Sequence, residues 1–272
     1  MNEKHLKEKL LSLLTVEKTD RSVSVTVPEF FAATGDGLHL TFLYYDEVFY
    51  VHDNGGAVAQ LKKQIGNADT FQKTLKRVGE KVSFDGERMV GAFCQVHTFF
   101  RYMQMLVFIA NADLYCDCLD EDGLRFDNDI VLPTDDKLES LDLNGLFECL
   151  DGGIFCSLND DGSYRLSLAM FYSTFSTYAS YRVELTDERV TVTDFHKGKI
   201  EGELFESFYW DHDSTADYAD EINRYGCRFG VEFDGKDIFI TDSSKHTNKA
   251  FWSFFNMAVL MSELGNRIEL PK

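Results

Sequence analysis

The sequence predicts an α+β fold made of two tandem copies of one unit, each a mainly antiparallel sheet with packed helices. Three observations carry this. First, Val82-Ser83-Phe84-Asp85-Gly86 returns as Val231-Glu232-Phe233-Asp234-Gly235, and His97-Thr98 returns as His246-Thr247, both at a shift of 149. Second, Asp46-Glu47 followed by Asp53 matches Asp187-Glu188 followed by Asp194 at a shift of 141, and Arg77 and Gly79 match Arg224 and Gly226 at 147. A shift that grows in small steps is what loop insertions between copies produce. Third, each half ends in a segment apolar on every side, which asks for burial around the helix.

Taken in chain order, Leu6, Leu10, Leu13 and Leu14 fall on one face of a short helix over residues 4–14. Residues 22–27, Ser-Val-Ser-Val-Thr-Val, alternate and are rich in β-branched side chains, so they predict a strand ended by Pro28. Residues 38–44 and 47–52 predict a hairpin around Tyr45-Asp46-Glu47. Asp53-Asn54-Gly55-Gly56 predicts a chain reversal, because Asn and Gly tolerate positive φ. A helix is expected near 69–78. A two-residue hairpin is expected across Asp85-Gly86. A buried helix should follow from Thr98 to about 113.

The second copy predicts a helix near 136–150 and strands near 164–171, 180–185 and 189–193. A helix near 215–225, a hairpin across Asp234-Gly235 and a closing helix from Thr247 to about 264 complete it. The acidic stretch 117–135 reads as a connection. The expected domains are therefore 1–116 and 136–272, associating through their buried helices as a pseudo-twofold pair.

The first copy also carries an ordered set of short motifs. These are Val25-Thr26-Val27-Pro28, then Gly35-Asp36-Gly37-Leu38-His39-Leu40, then His52-Asp53-Asn54-Gly55 with Leu61 beyond it. A Phe-Asp-Gly hairpin and a helix ending in Asp113-Leu114-Tyr115 close the set. In this order they resemble the bacterial and phage family called domain of unknown function 1828, over residues 4–115, with the second half a diverged copy. Val27 stands where that family has Thr, and Val51-His52 where it has Leu-Thr. The resemblance implies a bacterial or phage setting and transfers no catalytic residue.

Composition bounds the function. The 272 residues have 44% hydrophobic and 14% aromatic content, enough to fill two cores. No apolar run is long enough to span a bilayer, so neither a membrane protein nor an export signal is expected, and a cytoplasmic location follows. The six cysteines are expected to be reduced thiols, and Cys116-Asp117-Cys118 lacks the second pair or the histidine that a zinc site needs.

Net charge is −19. Residues 1–137 hold 15 basic against 22 acidic groups, and residues 138–272 hold 12 against 24. Such a field repels phosphate backbones, so direct nucleic-acid binding is not expected. The one basic stretch is Lys62, Lys63, Lys73, Lys76, Arg77 and Lys81. The second copy instead carries Glu201, Glu203, Glu206, Asp211 and Asp213.

No catalytic template is complete. Asp46, Asp53, Asp187 and Asp194 sit at the ends of predicted strands and could pair to hold a divalent cation for phosphodiester cleavage. His97 and His246 recur in both copies, where each precedes a Thr suited to cap a helix. Asp234-Gly235-Lys236 is the tidiest acid-x-lysine candidate of nuclease type, but it falls on a turn and its counterpart Asp85-Gly86-Glu87 has no lysine. The expectation is therefore an acidic protein-binding or inhibitory module that needs no cofactor or metal. Its expected partner is a protein with a basic surface, met through Glu201, Glu203, Glu206, Asp211 and Asp213. A homo-oligomer is compatible with the same features. The competing expectation is a metal-dependent nuclease.

Overall fold

The computed structural model describes residues 15–79, 83–116, 130–172, 177–195, 215–235 and 237–267. The helix expected over 4–14 and most of the acidic connection lie outside them. By internal contacts the chain forms two units. Of the described residues, those within 15–27 and 37–153 fall in the N-terminal unit and those within 28–36 and 154–266 in the C-terminal unit.

In the N-terminal unit the strands are β1 (Thr15–Lys18), β2 (Ser22–Phe31), β3 (Asp36–Tyr45), β4 (Val48–His52) and β5 (Val90–Phe93). They pair in the order β1-β2-β3-β4-β5. Between β4 and β5 come helices α1 (Gly56–Gln64) and α2 (Ala68–Gly79). After β5 come α3 (Val96–Ala110) and α4 (Leu143–Asp151). Alternation decides the buried face: Val23, Val25 and Val27 of β2 and Leu38, Leu40 and Phe42 of β3 all point into the core. Phe42 packs on Phe93 and Phe99 at 6.1 and 5.8 Å between ring centres. Each such buried ring contributes about 2–3 kcal/mol.

The C-terminal unit has β6 (Ile154–Leu158), β7 (Tyr164–Tyr172), β8 (Thr177–Leu185), β9 (Arg189–Asp194), α5 (Thr215–Phe229), β10 (Glu232–Phe233), β11 (Ile238–Ser243) and α6 (Thr247–Arg267). Its strands pair as β6-β7-β8-β9-β11-β10. The end of β2 and the chain leading into β3, residues 28–36, also belong to this unit. There Phe30 lies 5.1 Å from Trp252, and the Asn256 amide donates to the Phe30 carbonyl at 2.8 Å.

The two sheets agree in strand order and in register. His52 pairs with Val90, and Thr193 with Phe239, which are the same positions displaced by 141 and 149. The Thr26–His39 side-chain contact, 2.9 Å, recurs as Ser167–Ser180, 2.8 Å, at a displacement of 141 on both strands. The Phe84–Met89 bridge recurs as Phe233–Ile238 at 149. This agreement fits a tandem duplication. As the sequence predicts, α3 and α6 bury nearly all of their described apolar residues.

Several elements differ from expectation. The strand β2 runs through Pro28 to Phe31, and the break appears as positive φ (56°) at Glu29 and a loss of alternation there. Helix α1 and the short strands β1 and β6 were not expected. The hairpin turns are centred one residue beyond the expected Asp-Gly pair, with Asp85 N–H bonded to Arg88 O and Asp234 N–H to Asp237 O. Helix α4 begins at Leu143, where the Asp142 carboxylate accepts the Gly145 N–H at 3.1 Å. It belongs by contacts to the N-terminal unit, so the division falls after Gly153 and not near residue 136. No helix among the described residues is long and apolar enough to cross a membrane.

Candidate functional site

The most unusual polar group in the N-terminal unit is Asp53. It is fully buried, at the turn from β4 into α1. Asn54 and Gly55 both take positive φ there (51° and 78°), which lets the chain reverse under the carboxylate. Asp53 Oδ1 accepts the N–H of Gly55 at 3.0 Å and of Met89 at 2.9 Å. Its Oδ2 accepts the N–H of Ala57 at 2.8 Å. One side chain thus joins the start of α1 to the segment entering β5. Burial pushes its pKa above the ordinary 3.8, against the downward pull of the Ala57, Gly55 and Met89 N–H groups.

Around it lie four further polar side chains. His52 is buried, and its Nδ1 accepts the Asn54 N–H at 3.4 Å. Desolvation, reinforced by the Arg88 charge and opposed by Asp85, lowers its pKa to about 4, so the ring is neutral at neutral pH. Tyr102 of α3 donates to the Met89 carbonyl at 3.1 Å, and burial followed by the Asp53 charge raises its pKa well above 10.0. Asp85 and Arg88 form a short surface ion pair, 2.7 Å, at the rim. Burial pushes Asp85 up, but the Arg88 and Glu87 N–H groups and the Arg88 guanidinium outweigh it, so its net shift is downward.

A cleft of about 190 Å³ lies beside this cluster, lined by Ser83, Met89, Gly91, Thr98, Arg101, Tyr102, Met105 and Ile130. Asp53 and His52 do not line it. Asp53 engages both oxygens with backbone donors and is closed to solvent, so it lacks the access of a general base. The arrangement is a buried staple next to a small, mostly apolar cleft.

Asp46 and Asp53 lie at opposite ends of β4, and Asp187 and Asp194 at opposite ends of β9. Strand rise separates the members of each pair by about 20 Å. That is far beyond the span of two ligands on one cation. Among the described residues no group of three His, Cys, Asp or Glu is arranged to hold a metal ion.

His97 is exposed in the first turn of α3. His246 is exposed in the turn before α6, with Nδ1 3.0 Å from Asp242 Oδ1. The position equivalent to Asp242 in the first copy is Phe93, so the histidines do not share a partner. The capping expectation is corrected as well. The residue before α3 is Gln95, with no side-chain cap bond, and Thr247 Oγ1 donates back to the Ser244 carbonyl at 2.7 Å. Glu201, Glu203, Glu206, Asp211, Asp213 and Lys236 lie outside the described residues. Of the basic stretch, Lys62, Lys63, Lys73 and Lys76 are exposed on α1 and α2.

The sequence reading missed His52, Arg88 and Tyr102 as members of the Asp53 cluster. His52 was within reach, being adjacent to Asp53 in a quoted motif. Tyr102 is brought in only by packing of α3 on β5. The second copy has Thr193, Asp237 and Phe251 at the three equivalent positions, so of the cluster only the two acids recur there, as Asp194 and Asp234.

Family models, curated proteins and solved structures give no match to this chain. A functional reading therefore rests on the chain's own residues.

Proposed function

We propose that the protein works by binding a protein partner that presents a basic surface, as an acidic regulatory or inhibitory module. One observation supports this most. Among the described residues Asp53 is the only buried Asp or Glu, so the other described acids reach solvent, in a chain of net charge −19. A surface field of this sign speeds encounter with a basic patch and repels polyanions. The separation of Asp46 from Asp53 and of Asp187 from Asp194 weighs against the metal-dependent nuclease. A bacterial or phage origin, and the resemblance to domain of unknown function 1828, belong to the same proposal, as do a cytoplasmic setting and contact through Glu201, Glu203, Glu206, Asp211 and Asp213.

The test is capture from a bacterial lysate at about 0.05 M and about 0.5 M salt, followed by titration with the purified captured protein. The expected partner is basic and binds at least tenfold more weakly at the higher salt. Changing Glu201, Glu203 and Glu206 to Gln, and Asp211 and Asp213 to Asn, should weaken it likewise. Binding that ignores both salt and these substitutions would overturn the mechanism. Cleavage of plasmid or single-stranded DNA with Mg²⁺ or Mn²⁺, abolished by Asp46→Ala or Asp187→Ala, would overturn the function class.

A further inference from the structure

Two cysteines of the N-terminal unit, 55 residues apart in sequence, lie on segments that the fold packs against each other. Cys94 is exposed in the link between β5 and α3. Cys149 is half-buried near the C-terminal end of α4. Helix α4 packs on α3. The chain just past α4 is held tightly there: a Cβ on Gly153 would lie 2.3 Å from Val96 Cγ2 and 2.4 Å from Phe100 Cε2. Cys94 stands two residues before Val96. Cys149 stands four before Gly153, about one helical turn away. The two thiols also feel each other, since burial first and the Cys94 charge second raise the Cys149 pKa. Cys116 has a different environment, buried with its Sγ 3.6 Å from Thr74 Oγ1.

We propose that Cys94 and Cys149 are a modification site, a thiol pair that closes to an intramolecular disulfide by exchange with a low-molecular-weight disulfide such as glutathione disulfide. The exposed Cys94 thiolate attacks one sulfur of the external disulfide, forming a mixed disulfide and releasing one small thiol. The Cys149 thiolate then attacks the Cys94 sulfur and releases the second small thiol. Two protein thiols are oxidised, one external disulfide is reduced to two thiols, and the two protein protons leave on them. The raised pKa of Cys149 slows its attack at neutral pH, and raising the pH speeds it. The product clamps α4 to the start of α3, the buried helix that carries Tyr102.

The test treats the whole protein with excess glutathione disulfide at about pH 8.5, quenches with acid, alkylates, and maps peptides without reduction. The expected product is a peptide linked through Cys94 and Cys149, reversed by dithiothreitol. Closing the intervening loop should raise Tm by about 5–10 °C. Cys149→Ser should stop the reaction at the mixed disulfide on Cys94, and Cys94→Ser should prevent both steps. Three results would overturn the proposal: Cys94 trapped as the mixed disulfide while Cys149 stays alkylatable, a linkage to another cysteine, or a linked form with unchanged Tm. The wild-type map decides the matter even if a serine variant fails to fold.

Discussion

Replacing Asp53 by alanine strips three backbone N–H groups of their shared acceptor. The Ala57 and Met89 donors are buried, and that of Gly55 is partly so. Each buried donor left without a partner costs about 1–3 kcal/mol. The two buried donors therefore account for about 2–6 kcal/mol, and Gly55 adds less because water can reach it. Removing the carboxylate also relieves its own desolvation, which is large enough to raise its pKa. The net cost is then near the lower end, about 3 kcal/mol. Asp53→Asn keeps the oxygen that serves Gly55 and Met89, or an equivalent one, and sets an amide N–H₂ against the Ala57 N–H. It should cost about 1–2 kcal/mol.

Both tryptophans, Trp210 and Trp252, lie in the second half of the chain, so Trp fluorescence reports poorly on this site. Urea unfolding by circular dichroism, together with amide hydrogen exchange across α1 and the Met89 segment, is the suitable assay. Protection should fall first at Ala57 and Met89. The pH dependence supplies an internal check. Because the folded pKa is raised, the folded state holds the proton more tightly than the unfolded chain does. That contribution is full below the ordinary value of 3.8 and is lost as pH rises through the folded value. Asp53→Asn has no such proton, so the gap between it and wild type should narrow as pH rises through that window. An alanine variant within about 0.5 kcal/mol of wild type would refute the staple, as would a gap that widens with pH.

Two further perturbations follow from the same geometry. His52 has a folded pKa of about 4 against an ordinary 6.5, so it contributes stability that is complete above 6.5 and lost as pH falls toward 4. Across that window the loss is roughly 3 kcal/mol, and His52→Gln should flatten the Tm-against-pH curve there; an unchanged curve would count against a buried neutral imidazole. Gly226→Ala lies inside α5, where alanine normally gains about 1 kcal/mol. A Cβ there would stand 2.4 Å from the Val231 carbonyl oxygen, so thermal melting should instead show a loss of about 1–3 kcal/mol, and a gain would show that this contact yields.

Much of the fold is decided by local pattern. The alternation of residues 22–27 and 38–44 sets which side chains enter the core, and the apolar helices α3 and α6 announce their own burial. The displacements of 141 and 149 are visible as repeated dipeptides, and they are the same displacements that relate the cross-strand pairs of the two sheets. The Asn54-Gly55 reversal is equally local, because positive φ is a property of those residue types. Pairing and access are different, because they depend on residues far apart in sequence. Four-residue β1 and five-residue β6 carry too little pattern to be seen alone, and become strands by hydrogen-bonding to β2 and β7. Helix α1 starts where Asp53 can accept its first N–H groups, and Asp53 is oriented by Met89, 36 residues away. Sequence proximity made Asp46 and Asp53 look like paired ligands, while a strand between them holds them apart. What the sequence determined was whatever a residue's own φ preference or apolar period enforces. What tertiary structure decided was which polar groups lost their water and which backbone donors replaced it, and that exchange turned Asp53 from a candidate ligand into a structural staple.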